Sequence, residues 1–237
     1  MERNPHRLIY ASSPERGLEQ LLVFFGRARE VVPDLELHCF YGWGPEGRQN
    51  IPYRRHIERL MRQDGVTWRG RVGQEELWTA YLESGIWCYP TMFQETFCVC
   101  ACEAQALGAV PIYNPVYALR DTVFTGLALH GDCRTDRLLQ MRYAYEIAHL
   151  ALSPEVQERI RKTMMPEARA RFDLERVVDR FEELACEDGK SHATRRADRW
   201  FHAGSASPAS AIGFRTEETV ATAPTGALSE TGAPGKL

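Results

Sequence analysis

Short apolar runs alternate with longer amphipathic segments along the chain up to about Ala185. Runs of this length, apolar at successive positions, are typical of strands that are buried on both faces. They lie at Arg7–Ala11, Leu35–Tyr41, Val66–Gly70, Ile86–Pro90, Ala109–Asn114 and Gly126–Gly131.

The amphipathic segments carry apolar residues three or four positions apart, which is the period of a helix with one buried face. The first predicted helix, Pro14–Val31, shows this period at Leu18, Leu21, Leu22 and Phe25. Further helices are predicted at Pro52–Gly65, Gln74–Ser84 and about Thr96–Leu107, followed by three helical segments that break near Pro154 and Phe172–Asp173.

Buried strands that alternate with helices predict an α/β fold with a doubly wound, Rossmann-like parallel sheet. Such a sheet binds its ligands beyond the carboxyl ends of the strands, where the helices begin. The turns that follow the predicted strands are therefore the places to look for functional residues.

The character of the sequence changes near residue 187. The segment GSASPASAIGFRTEETVATAPTGALSETGAPGKL, which closes the chain, is rich in small and polar residues and poor in large apolar ones. Such a segment cannot bury enough apolar surface to offset the entropy of ordering. We therefore predict one folded domain over residues 1–186 and a disordered tail over residues 187–237.

Composition and charge exclude several classes of protein. The apolar fraction of 44% and the charged fraction of 26% are ordinary for a globular chain, and the net charge of -3 argues against a general nucleic-acid binder. No stretch is apolar enough to span a bilayer, and the start MERNPHRLIY has no apolar core of a signal peptide. We expect a cytoplasmic protein without a transmembrane segment or a nucleic-acid partner.

Seven cysteines raise the question of a metal or redox site, because three of them lie at every second position in ETFCVCACEAQALG. None of the seven forms a C-x-x-C pair, so the usual zinc spacing is missing. On a helix, Cys98 and Cys102 share a face and Cys100 points nearly opposite, so the three thiols cannot converge on one ion. We expect the cysteines to pack in the core, and no metal site.

Two glutamates in the same stretch suggest a different chemistry. Glu95 stands at the predicted helix entrance and Glu103 two turns further on, roughly 12 Å away at the usual helical rise. The free amides from about Thr96 to Val99 could hold a pyrophosphate, and the two carboxylates could accept hydrogen bonds from sugar and ribose hydroxyls. Alternatively, the helix dipole alone favours the first glutamate, and the second faces solvent.

The residues that flank Glu103 are small, which predicts a sheltered carboxylate that needs a partner. Other turns offer further polar groups. Ser12, Ser13 and Arg16 could bind phosphate oxygens in the first turn, with Gly17 allowing a close approach. In the alternative, a serine caps the helix and the arginine is solvated.

The turn after the third strand carries Gly70 and Gly73, which allow a tight loop. The backbone of Arg71 and Val72 between them could meet the edge of a nucleotide base. The alternative is a plain connection between a strand and a helix.

These segments together resemble the C-terminal, nucleotide-sugar-binding half of GT-B glycosyltransferases, in the large retaining group often called family four. The likeness covers about Arg7–Leu152. In the pattern Y-x-S-S-P-x-R-G-L, the chain carries Tyr10, Ser12, Ser13, Pro14, Arg16, Gly17 and Leu18. In V-x-x-x-G-x-V-x-x-x-E-L it carries Val66, Gly70, Val72, Glu76 and Leu77. The most specific block, Y-P-T-x-F-x-E-T-x-C-x-x-A-x-E-A-Q-A-x-G, runs from Tyr89 to Gly108.

The resemblance implies roles for these residues. Glu95 would contact the donor sugar and Glu103 the ribose, and Glu95 and Arg16 would carry the catalysis. The diphosphate would meet Arg16 and the amides of Thr96, Phe97 and Cys98. The donor would be a UDP- or GDP-linked sugar, and a hexosyl group would pass to a glycan, lipid or protein acceptor with retention, without a metal or cofactor.

Two departures from the family pattern bear on this expectation. Ala11 stands where many relatives carry an additional phosphate-binding arginine, and the acceptor-binding N-terminal half is missing from the sequence. The chain would then work with a separate acceptor-binding half, or act as a non-catalytic sugar-nucleotide-binding or interaction module. An NAD-dependent oxidoreductase is disfavoured, because the first turn lacks G-x-G-x-x-G and no acidic residue ends the second strand.

Overall fold

The structure, a computed structural model, describes residues 2–186. Its strands are β1 Asn4–Ala11, β2 Glu36–Phe40, β3 Val66–Gly70, β4 Ser84–Tyr89, β5 Val110–Tyr113 and β6 Leu127–Ala128. Its helices are α1 Leu18–Arg29, α2 Pro45–Gln49, α3 Ile51–Leu60, α4 Gln74–Glu83, α5 Val99–Leu107, α6 Leu119–Thr122, α7 Arg137–Ala151, α8 Pro154–Arg171 and α9 Leu174–Cys186.

The strands form one sheet in the order β3-β2-β1-β4-β5-β6, and all neighbouring pairs are parallel. The chain winds outward in one direction from β1 to β3, and then returns to β4 on the other side of β1. This confirms the predicted doubly wound, Rossmann-like sheet. The crevice between β1 and β4 is where such folds bind ligands, because the strand order reverses there.

The core lies along the two central strands. All residues of β4 are buried, as are Leu8–Ala11 of β1, which explains why both strands read as continuous apolar runs. Helices α1 and α7 pack against each other beside β4, and α5 packs against α4 and α8. Both faces of the sheet are thus covered, and the carboxyl ends of β1 and β4 stay open to ligand.

Two predicted helices begin later than the sequence suggested. Pro14–Arg16 forms a separate 3-10 turn, and α1 begins only after Gly17. The helix expected from about Thr96 begins at Val99, with Cys98 as its N-cap residue. Both differences fall in turns beside the β1–β4 crevice. There, contacts with other turns as well as the local sequence decide where a helix begins.

The carboxyl end of α5 is held by basic side chains from distant parts of the chain. Gly108 ends the helix in the left-handed conformation, at φ 88°. Arg3 donates to the carbonyl of Leu107 at 2.7 Å, and Arg161 donates to that of Gly108 at 3.4 Å. Positive charge is favourable at this end of a helix, so these contacts fix the position of α5 in the sheet.

The three helical segments predicted after residue 131 are confirmed as α7, α8 and α9, whereas the short helix α2 was not predicted. Within the described part of the chain, no helix combines the length and apolar character needed to cross a bilayer. The predicted disordered tail, residues 187–237, lies outside the described residues. The domain boundary at residue 186 stays a prediction.

Candidate functional site

A cleft of about 190 Å³ opens at the carboxyl ends of β1, β2 and β4. Five of the residues that the sequence singled out line it: Ser12, Arg16, Glu95, Phe97 and Cys98. The sheet thus brings together the first turn and the E-x7-E segment, which are almost eighty positions apart along the chain. Tyr41, Tyr89 and Cys100 also line the cleft and were not predicted as site residues, whereas Val99 was predicted for its backbone amide.

A buried ion pair is the central feature of the cleft. Glu95 is 7% exposed, and both of its carboxylate oxygens accept hydrogen bonds from Nη1 of Arg16, at 3.1 and 3.2 Å. The hydroxyl of Tyr89 donates to Oε1 of Glu95 at 2.7 Å. The guanidinium also lies 4.1 Å from the centre of the Phe93 ring. The carboxylate is therefore held in one orientation by two donors, and the cation is held by an acid and an aromatic face.

The pairing changes the electrostatics of Arg16. Partial burial is the largest single influence and lowers the pKa of its guanidinium, but the charge and hydrogen bonds of Glu95, together with the contribution of Tyr89, raise the pKa overall. Because Arg16 is 38% exposed in its side chain, it also faces the open part of the cleft. It can share its charge between the buried carboxylate and an incoming anion.

Neither serine of the first turn caps a helix. Ser13 precedes the 3-10 turn without a capping hydrogen bond, and the N-cap residue of α1 is Gly17. The hydroxyl of Ser12 lies 3.2 Å from that of Tyr89. The capping alternative is therefore wrong, and Ser12 joins the network around Glu95.

Gly17 allows the first turn to approach the end of β4. Its φ is 118°, which L-residues with a side chain rarely adopt, and a Cβ at this position would lie 2.5 Å from the carbonyl oxygen of Pro90. A side chain here would force the first turn away from the backbone that follows β4. The expected close approach is thus made to the backbone of the neighbouring turn.

The amides at the start of α5 differ from those expected. Thr96 and Phe97 lie in the loop before the helix, so their amides are not those of its first turn. The first helical residues are Val99 and Cys100, whose amides have no intrahelical partner by the geometry of an N-terminus. Both residues line the cleft, so the donor groups predicted for an anion are present three positions further along.

The cysteines behave as packing residues. Burial raises the pKa values of Cys100 and Cys102 to about 12, so both thiols stay protonated at neutral pH. The Cys100 thiol donates to the carbonyl of Ala11 at 2.7 Å, which links α5 to the end of β1. Among residues 2–186, no group of three or more His, Cys, Asp or Glu side chains is arranged to hold a metal ion.

Glu103 is 5% exposed and does not line the cleft around Glu95. Its Oε1 accepts hydrogen bonds from Nε2 of Gln74 and, at 3.0 Å, from Nε1 of Trp78. The sheltered carboxylate therefore has the partners that its small neighbours predicted, both on α4. These two residues were missed, although four-residue spacing on a predicted helix is the signal that places them on one face.

The turn after β3 is organised by Tyr41 rather than by glycines alone. Gly70 has a φ of 69°, and its carbonyl accepts the amide of Tyr41 at 2.7 Å. Tyr41 itself has a φ of 85°, which is strained for a bulky residue. The guanidinium of Arg71 lies 4.4 Å from the centre of the Tyr41 ring, so a cation sits at the cleft's edge.

The buried Glu103 carboxyl gives a pH-dependent prediction. Burial raises its pKa, although hydrogen bonds from Trp78 and Gln74 oppose the shift. Since the folded pKa exceeds the unfolded one, the stability contributed is fully present below the unfolded pKa and is lost as pH rises through the folded pKa. Glu103→Gln has no proton to lose, so its free energy of unfolding relative to wild type should improve from acidic to neutral pH. Chemical denaturation of both proteins across this pH range measures the two free energies of unfolding. A difference between them that does not change with pH would contradict the prediction.

Comparisons with known proteins agree with this geometry. A family model described as Glycosyl transferases group 1 matches residues 4–162, more than half of the chain. Among curated proteins, none matches the chain.

Solved structures share the fold at low sequence identity. The pneumococcal O-GlcNAc transferase GtfA, in complex with UDP and GlcNAc, superposes with a TM-score of 0.64 at 18% identity, over 78% of this chain and 36% of that one. HepE of Anabaena, in complex with UDP, gives 0.63 at 14% identity over 78% and 49%. Sucrose-phosphate synthase from Thermosynechococcus elongatus gives 0.62 at 22% identity over 76% and 45%. The chain thus spans less than half the length of each.

Proposed function

The chain belongs to the group 1 glycosyltransferases, and from that premise we propose that it is the donor-binding domain of a retaining hexosyltransferase that uses a nucleoside diphosphate sugar. The observation that carries the proposal is the Arg16–Glu95 pair beside the start of α5. A cation and free amides that can bind a diphosphate lie next to an oriented carboxylate that can bind sugar hydroxyls.

The leaving group is the first chemical requirement. Cleavage of the bond between sugar and phosphate leaves negative charge on the diphosphate, and donors fixed in advance stabilise that charge. Arg16 and the amides of Val99 and Cys100 would stabilise this negative charge. The two amides lie at the positive end of the α5 dipole, which adds to their effect. These protein groups support the proposal that the reaction needs neither metal nor cofactor.

The sugar is the second requirement. A carboxylate accepts hydrogen bonds and can bind two hydroxyls at once. Arg16 and Tyr89 hold Glu95 in place, so little ordering would remain to be done when a hexosyl unit arrives. Retention of the anomeric configuration is proposed from the likeness of the Tyr89–Gly108 motif to retaining enzymes.

The nucleotide and the acceptor are proposed more broadly. UDP is favoured over GDP, because GtfA and HepE were both solved with UDP. Because those chains are at least twice as long as the part that matches, we propose that a separate acceptor-binding half presents the glycan, lipid or protein acceptor. We also propose that the protein acts in the cytoplasm, since its composition is ordinary for a globular chain.

A binding and turnover experiment tests the proposal. Titration calorimetry of the chain with UDP, GDP and ADP sugars should show binding of one base class. Release of free nucleoside diphosphate should follow once an acceptor half and acceptor are supplied. Binding without release under any condition would favour a non-catalytic sugar-nucleotide module, and no binding of any nucleotide sugar would reject the proposal.

Glu103 is the proposed ribose ligand. Both hydrogen bonds from α4 use its Oε1, and within residues 2–186 its Oε2 makes none. Glu103→Ala should weaken UDP binding by about 2 kcal/mol, the scale of leaving ribose hydroxyls unpaired.

A nucleotide without the hydroxyls separates this role from general damage. Removing the ribose 2′ and 3′ hydroxyls should weaken binding to wild type but change binding to the Glu103→Ala protein little, as in a double-mutant cycle. Glu75→Ala, an exposed site on α4, is the control. Equal losses for both nucleotides in the Glu103 variant would reject the ribose role.

A further inference from the structure

The cleft has little unpaired positive charge for the diphosphate of the proposed donor. Arg16 is the cation that lines it, and this guanidinium is already paired with Glu95 through both carboxylate oxygens. A diphosphate carries more than one negative charge. A site that holds it tightly needs positive charge that is not already neutralised.

Arg71 is such a charge. Among the described residues, no carboxylate lies within ion-pair distance of its guanidinium, which lies over the face of the Tyr41 ring at 4.4 Å from the ring centre. Tyr41 lines the same cleft as Arg16. The Arg71 side chain also lies against Gly42, just after β2, where an added Cβ would be 3.1 Å from Nε.

The backbone holds this arrangement at a cost. Tyr41 adopts a φ of 85°, and its amide is tied to the carbonyl of Gly70, the residue before Arg71. Strained backbone of this kind persists where surrounding contacts fix it, and it is concentrated at functional sites. The strain sets the ring of Tyr41 under Arg71 at the mouth of the cleft.

The end of β1 has room for the cation. Ala11 lines the cleft with a single methyl group. It pairs with Phe40, the residue before Tyr41, so a long side chain at this position would compete for space near the end of β2. With alanine there, an arginine that approaches from the β3 side is not obstructed.

Resting on the proposed function, we propose that the Arg71 side chain, supported by the Tyr41 ring, is the second cation that binds the donor diphosphate. Arg16 holds the sugar-binding carboxylate and shares its charge with the phosphates. Arg71 is not paired with a carboxylate of the described residues, and it binds the phosphates from the carboxyl end of β3. Its side chain, and not only its backbone near the base, is then a binding group.

The test compares two arginines that differ in place but not in charge. Arg71→Gln and Arg69→Gln each remove one positive charge from the same edge of the sheet, and both residues are exposed. UDP is titrated by calorimetry, and uridine, which lacks phosphates, by NMR. GDP and guanosine replace them if the wild type prefers that base.

We expect Arg71→Gln to weaken UDP binding about 10- to 100-fold, the range for a hydrogen bond to a charged group. Uridine binding should change less than about twofold, as should UDP binding to Arg69→Gln. Tyr41→Leu keeps the cation and an apolar side chain but removes the ring, and should give an intermediate loss. Thermal unfolding of each variant shows whether the fold is kept.

Two results would overturn the inference while leaving the proposed function standing. In one, Arg71→Gln and Arg69→Gln weaken UDP equally, which would mean a general effect of charge. In the other, Arg71→Gln weakens uridine as much as UDP, which would place the side chain on the base or ribose. If the wild type binds no nucleoside diphosphate, the inference and the proposed function both fail.

Discussion

Glu95→Gln is expected to lower the rate of glycosyl transfer by about 10²- to 10³-fold, the scale seen when one fixed electrostatic group is removed from an active site. The substitution keeps the shape of the side chain but replaces a charged acceptor by an amide. The sugar hydroxyls lose a carboxylate, and Arg16 loses the negative charge of the group that it contacts at 3.1 Å. Diphosphate release from the donor, measured with acceptor half and acceptor present, checks the rate.

Two controls make this result specific. Glu75→Gln alters an exposed glutamate on α4 and should leave the rate unchanged. UDP binding by the Glu95→Gln protein should change only a few-fold, because the carboxylate is assigned to the sugar and not to the nucleotide. Transfer by the Glu95→Gln protein within twofold of wild type would show that this residue does not act in the reaction.

Gly17→Ala is expected to lower the free energy of unfolding by about 3 kcal/mol, from the strain of a left-handed conformation and the clash with Pro90. The methyl group would lie 2.5 Å from a backbone oxygen, which cannot move as a flexible side chain can. For a protein of this size, the melting temperature should fall by roughly 6 to 12 °C.

Gly73→Ala is the matched control for this stability effect. Gly73 has a φ of -67°, and an added Cβ meets nothing within 4 Å. Its substitution should change the unfolding free energy by less than about 1 kcal/mol. Similar melting temperatures for the two alanine variants would contradict the account of the turn between β1 and α1.

The sheet could be predicted from the sequence because its signal is local. Each central strand is a continuous apolar run, and helical periodicity fills the gaps between strands. Parallel pairing then follows, since strands joined through helices run in the same direction. In a parallel sheet, the turns that follow the strands all lie at one edge, so the positions of the turns that face the ligand could be predicted as well.

The start of α5 could not be predicted because a distant contact sets it. The carbonyl of Glu95 accepts the amide of Ala118 at 3.3 Å, from the loop after β5, instead of beginning a helix. Local sequence carries no signal for that bond. The helix therefore begins at Val99, and the expected separation of the two glutamates along one helix does not apply, since Glu95 lies before it.

The pairing inside the site was hidden for the same reason. Arg16 and Glu95 were assigned separately to phosphate and sugar, and the structure joins them across 79 positions. Tyr89 and Phe93 stood in the recognised motif without a role, although both hold this pair. The motif identified which turns meet, but only the fold shows which side chains share charge.

The most direct test is a crystal structure of the chain soaked with UDP or GDP. Density for two phosphates is expected in the cleft, against the amides of Val99 and Cys100 and within reach of Arg16. Density for the nucleotide elsewhere on the domain, or phosphates that point away from the start of α5, would contradict this expectation.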